Sequence, residues 1–160
     1  MKIYYREKSG GIEILRCFGI EGRVEIPGMI DDKLVISAAP YAFSSHMDEK
    51  EDLKNASLWE VSDGLEFGRE EHVLAGNDVE EIVFPYTLKE IGRYIFYGCG
   101  NLKKLEFSDS LMQIGCGAFT GCHALEKLTV HMRQGKKSGV KEILGEMWQR
   151  IDVNFLYEYE

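Results

Sequence analysis

Between Ile82 and Val130 the apolar positions return at one spacing. Ile82-Val83-Phe84, Leu105-Glu106-Phe107 and Leu128-Thr129-Val130 are separated by a constant step, and the same step carries Ile91-Gly92 to Ile114-Gly115. Phe96-x-Gly98-Cys99-x-x-Leu102 returns at that step as Phe119-x-Gly121-Cys122-x-x-Leu125. A fixed period of about 23 residues predicts a solenoid, because each repeat can bury its apolar face only against its neighbours. Side chains alternate along a strand, so Leu105 and Phe107 turn inward and Glu106 outward. Phe96 and Phe119 then fill the middle of their coils, and Cys99 and Cys122 act as small buried fillers. Gly92, Gly115, Gly98 and Gly121 fall where the chain turns, at places that want positive φ or close backbone approach.

The flanks depart from this pattern in ways that predict caps. Lys2 to Arg6 and Ile12 to Phe18 are β-rich runs around Ser9-Gly10-Gly11, which predicts a hairpin covering the first layer over residues 1–23. Val24-Glu25-Ile26-Pro27 opens the repeats, which run over residues 24–137, and Ile36 and Tyr41-Ala42-Phe43 echo the later Ile and Phe positions. An acidic, helical insertion near residues 44–57, centred on Asp48-Glu49-Lys50-Glu51-Asp52, interrupts the register; a solvated helix face is the simpler reading and an acidic docking site the alternative. Trp59, Val61, Val73 and Val79 each stand one period before an apolar member of the next repeat, which predicts a degenerate coil in phase. Val140, Ile143, Leu144, Met147, Trp148 and Ile151 form one helical stripe behind a candidate N-cap at Ser138. Ile151 and Val153 follow Leu128 and Val130 by one period, so residues 138–160 are expected to be a capping helix and strand, ending in the strand candidate Phe155 to Glu160. The expectation is a single domain over residues 1–160: a capped solenoid with mostly short strands and irregular loops.

The pattern I-x-x-x-x-F-x-G-C-x-x-L-x-x-I/L-x-F/V, carried by Ile91, Phe96, Gly98, Cys99, Leu102, Leu105 and Phe107, and again by Ile114, Phe119, Gly121, Cys122, Leu125, Leu128 and Val130, resembles the BspA-like leucine-rich repeats. The resemblance implies a solenoid of the α/β leucine-rich-repeat type, curved and β-rich, used for protein or surface recognition, mostly in secreted bacterial proteins.

Charge narrows the partners. With 27 acidic against 19 basic residues the formal net charge is −8, and no basic run exceeds Lys136-Lys137. Nucleic-acid binding needs a clustered basic footprint, and anionic membranes need the same. Both are therefore disfavoured. The first residues, Met1-Lys-Ile-Tyr-Tyr-Arg-Glu-Lys, carry no apolar h-region, and no apolar run approaches the length of a membrane span, so the expected location is cytoplasmic. Cys17, Cys99, Cys116 and Cys122 follow no C-x-x-C spacing, which fits reduced thiols, although stacked Cys99 and Cys122 stand close enough for a disulfide in an oxidising setting.

No catalytic, cofactor or metal site is expected. Cys99, Cys116, Cys122 and His123 would have to converge tetrahedrally for zinc, yet the repeat already explains them. His46, His72, His123 and His131 are scattered, Arg69-Glu70-Glu71-His72 lacks the second histidine of a metalloprotease motif, and Gly98-x-Gly100 and Gly115-x-Gly117 do not open a helix. An enzyme would instead require a reactive Cys116 or Cys99. The outward strand positions are Glu81 and Val83, Lys104 and Glu106, Lys127, Thr129 and His131, then Arg150 and Asp152. Solenoids use such sheets as recognition surfaces. Val83, Lys104, Glu106, Lys127, Thr129 and His131 are therefore the candidate partner-binding residues, for a protein partner, with His131 a source of pH dependence. The alternative is a structural protein, a homodimer formed through the C-terminal helix or strand.

Overall fold

The computed structural model describes residues 1–46, 53–61, 70–134, 137–145 and 151–158. Strand β1 (Lys2–Lys8) and β2 (Gly11–Gly19) form the expected antiparallel hairpin, turning at Ser9 and Gly10 with φ of 52° and 81°. Positive φ at both central residues matches the right-handed twist of the two strands. The first coil holds β3 (Arg23–Glu25), β4 (Met29–Ile30) and β5 (Lys33–Ala38). After it come β6 (Ser57–Glu60) and β7 (His72–Val73). The central coils hold β8 (Glu81–Val83), β9 (Glu90–Ile91), β10 (Lys104–Ser108), β11 (Gln113–Ile114) and β12 (Lys127–Met132). The chain closes with helix α1 (Val140–Gly145) and β13 (Val153–Tyr157).

Two sheets run along the solenoid. The first has the order β13-β12-β10-β8-β3 and is parallel throughout. Its register is the one the sequence spells: Ile82, Leu105 and Leu128 stand side by side, with Val24 on one flank and Val153 on the other. The second sheet has the order β11-β9-β5-β2-β1-β6, so the hairpin joins the solenoid edge to edge through β2 and β5. Between the sheets Phe43, Phe96 and Phe119 stack at centroid distances of 6.1 and 5.7 Å. Burying such rings, worth about 2–3 kcal/mol each, helps to hold coil to coil.

That aromatic column corrects the expected degenerate coil. Phe43 stacks directly on Phe96 and β3 pairs directly with β8, so no coil stands between residues 24–46 and residues 79–102. Trp59 belongs instead to β6, opposite Ile3 on the outer edge of β1, and Val73 lies opposite Phe18 on β2; both pairings are antiparallel. Strands β6 and β7 thus extend the sheet of the N-terminal hairpin. Alternation with a period of two is common to strands of either origin, so the Trp59-x-Val61 spacing matched Ile82-x-Phe84 without sharing its place in the fold. The acidic centre of the insertion lies outside the described residues, and its described flanks are turns.

At the other end Ser138 Oγ accepts the Val140 N–H at 3.2 Å and caps α1 as expected. Met147 and Trp148 lie outside the described residues. The closing strand comes two residues later than the repeat predicts: Leu128 pairs with Val153, and Val130 with Phe155. A helical turn advances the chain less per residue than a loop does, so the last coil needs more residues to span the same distance. No helix among the described residues is long and apolar enough to cross a membrane.

Candidate functional site

The outward side chains of the parallel sheet stand in three rows set by its register. Arg23, Glu81, Lys104 and Lys127 form one row, and Glu25, Val83, Glu106, Thr129 and Asn154 the next. Ser108, His131 and Leu156 form the third. The structure thus brings the six candidate residues onto one face, but they are unequal. Lys104 and Lys127 are exposed, adjacent and, among the described residues, without an ion pair. Val83 is half-buried between Glu25 and Glu106.

Thr129 is a correction. It points outward but is only 4% exposed, because its short side chain sits on an inner strand between the longer Glu106 and Asn154. Asp152 is exposed, whereas Arg150 lies outside the described residues.

His131 is engaged within the face. Its Nε2 meets Glu106 Oε1 at 2.9 Å and its Nδ1 meets Glu158 Oε1, so the ring joins β10 to the end of β13. Burial opposes the imidazolium, but the two carboxylate hydrogen bonds outweigh it and hold the pKa above its ordinary 6.5. A raised histidine pKa stabilises the folded state fully below 6.5, and that contribution is lost as pH rises through the folded value. Stability should therefore fall by up to about 1 kcal/mol between pH 6 and 8, a slope that His131→Ala removes. Urea titrations at the two pH values measure it, and an equal slope in the variant would locate the effect elsewhere.

The sequence did not single out the groups around this histidine. The Tyr86 ring lies 5.5 Å from His131, Arg133 Cζ sits 4.4 Å above the same ring, and Tyr86 Oη reaches Glu158 Oε2 at 3.5 Å. None of these residues occupies a repeated position, so periodicity carried no signal for them. Asp109, nearby and buried, accepts the Gln134 N–H at 2.6 Å through Oδ2 and the Ser138 hydroxyl at 2.7 Å through its carbonyl, tying the loop before α1 to the sheet.

Two of the cysteines serve the coil corners. Cys99 Sγ donates to the Phe43 carbonyl and Cys122 Sγ to the Phe96 carbonyl, each at 3.3 Å, so each thiol caps the coil before it. Burial pushes both thiols up to about 12, the opposite of what a nucleophile needs. All four cysteines are free thiols. Among the described residues no three of His, Cys, Asp and Glu converge as metal ligands.

The ladder, its period and its capping thiols meet an independent match: residues 70–143 fit the family described as BspA type leucine rich repeat region. Residues 70–143 are a BspA-type leucine-rich-repeat region. Among solved structures, a leucine rich cell surface protein from Faecalibacterium prausnitzii aligns with 97% of this chain at a TM-score of 0.51 and 14% identity. The chain spans about two fifths of that protein, 41% of its length. A leucine rich repeat protein of T. pallidum aligns with 96% of this chain and 79% of its own, at a TM-score of 0.39 and 23% identity. No curated protein matches the chain. BspA-type repeats account for the constant step, the Phe column and the Gly-Cys corners together.

Proposed function

We propose that this chain is a non-catalytic protein-binding module that engages its partner on the outward face of the parallel sheet. The observation that carries the proposal is the Lys104–Lys127 pair, two exposed cations side by side on neighbouring strands of a chain with net charge −8. Like charges directly opposite each other in a sheet are destabilising, so the pair is an unfavourable arrangement for the isolated fold. A carboxylate from a partner would relieve it. Val83 and Glu106 border the pair, and His131 orders the Glu106 side chain from the next row.

The test is affinity capture with the wild-type chain beside Lys104→Ala/Lys127→Ala, followed by direct titration of the purified captured protein. Both lysines are exposed, so the variant keeps its fold, and binding should fall about tenfold or more for two lost charge contacts. Equal binding by both proteins would remove the face from consideration.

A further inference from the structure

The two ends of the parallel sheet are finished differently. At the β3 end the core ladders are sealed: Val24 is 0% exposed and Ile26 3%, with charged Arg23 and Glu25 flanking Val24. At the β13 end the same ladders finish in Val153 and Phe155, which are only half-buried, followed by Leu156 at 41% and Tyr157 at 50% exposure. Among the described residues β13 pairs only with β12.

The hydrogen bonds fix which way the backbone groups of β13 point. Leu128 N–H donates to the Asp152 carbonyl at 3.3 Å, and Glu158 N–H donates to the Met132 carbonyl at 2.9 Å. Along a strand, successive residues direct their N–H and C=O to opposite sides. Asn154 and Leu156 therefore face β12, whereas Val153 and Phe155 direct their N–H and C=O groups outward, and Tyr157 continues that alternation. Edge strands are usually blunted by charge, proline or a bulge, and β13 has none within its five residues. Lys141 lies against its side chains, 5.0 and 5.2 Å from the Phe155 and Tyr157 rings.

We propose that β13 is a strand-addition site for an extended segment of another protein, with apolar residues at alternate positions over Val153 and Phe155 and a Lys or Arg at its ends. Charge selects this occupant over a second copy. Asp152 and Glu158 bracket the strand, and antiparallel self-pairing centred on Phe155 would set Asp152 of each copy against Glu158 of the other. Like charges facing each other across a pair of strands oppose pairing, and the net charge of −8 adds to the repulsion. A basic-ended strand meets attraction at Asp152, and at Glu158 it shares a carboxylate that already meets His131. This edge is separate from the Lys104–Lys127 face, so the two sites hold or fail independently.

The probe is the capped heptapeptide Lys-Val-Thr-Val-Thr-Val-Lys, with a counterpart carrying Glu at both ends. Wild type and Lys104→Ala/Lys127→Ala should bind the basic peptide alike, and the acidic one about tenfold more weakly. Tyr157→Pro puts a proline into the outward register and removes no bond to β12, so it should abolish binding. Amide exchange in the wild type gives a reading that depends on no variant: Asn154 and Leu156 are protected from the start, while Phe155 exchanges fast and becomes protected when peptide is added. Absent binding, unchanged Phe155 exchange, or equal affinity for both peptides overturns the proposal. So does a dimer by light scattering that Tyr157→Pro dissolves, which would assign the edge to a second copy.

Discussion

Replacing Gly115 with alanine will destabilise the protein by about 3 kcal/mol or more, among the largest effects expected of any single methyl group here. A Cβ at Gly115 would lie 2.2 Å from Arg93 N, 2.5 Å from Arg93 Cα and 2.6 Å from the Gly92 carbonyl carbon. All three are backbone atoms, so no rotamer change relieves the overlap. The neighbouring coil would have to move away, and Gly115 N–H donates to the Ile91 carbonyl at 2.7 Å within that contact. Gly92 repeats the arrangement one coil earlier, with a Cβ 2.3 Å from Pro40 N. Gly10→Ala separates the two ways a glycine is needed: it has open space around it but a φ of +81°, and should cost about 1–2 kcal/mol from left-handed strain alone. Urea denaturation orders the variants. If Gly115→Ala costs no more than Gly10→Ala, the coils are not in the contact described.

The glycines show how far the repeat could be read without coordinates. Their places were legible because spacing reports where the chain turns, but the two reasons for glycine were not separable. Gly98 and Gly121 sit at φ of 78° and 83°, whereas Gly92 and Gly115 are close-approach positions. Sequence also hid a third corner position. Tyr41, Tyr94 and Gly117 all have positive φ, 61°, 51° and 66°, two residues before the stacked phenylalanines. Only one of the three is glycine. The tyrosines hold the left-handed conformation because their rings stack on each other at 5.6 Å, and the Tyr94 ring occupies the space where Gly117 lacks a side chain.

The degenerate coil was misplaced for a related reason. A period identifies which residues are apolar, and Trp59 and Val73 satisfy it, but it cannot say whether a strand pairs parallel with the next repeat or antiparallel with the hairpin. Direction is decided by where the chain comes from, and the segment after Ser44 arrives at the outer edge of β1. The candidate face was legible to the level of which side of the sheet a residue occupies. Burial within that side was not, because it depends on the neighbours two strands supply, which is how Thr129 came to be covered and His131 to be clamped.

Arg16 was invisible to periodicity and holds the first coil in place; Arg16→Met should cost about 3–5 kcal/mol. It projects from β2 at 2% exposure, and its Nη1 donates to the carbonyls of Tyr41 and Ala42 at 3.1 Å and of Ser44 at 2.7 Å. These three acceptors sit where the chain turns out of the Phe43 layer and leaves for the cap. A buried carbonyl left without a donor costs about 1–3 kcal/mol, and methionine fills the volume without supplying one. Hydrophobic replacement of buried ions is often harmless, but that holds when both partners are removed together. Here the acceptors belong to the main chain and remain. Arg16→Lys keeps the charge, but its side chain ends one atom short of the Nη1 position and its ammonium is more strongly hydrated, so it should fall between wild type and Arg16→Met. Because the same carbonyls fix the start of the segment that supplies β6 and β7, loss of Arg16 should also expose β1 first. Amide exchange at Ile3 and Tyr5 should then quicken more than at Leu105 and Phe107. Uniform quickening at both places would instead mean that the hairpin and the repeats unfold as one unit, with Arg16 contributing to their common stability rather than to the seam between them.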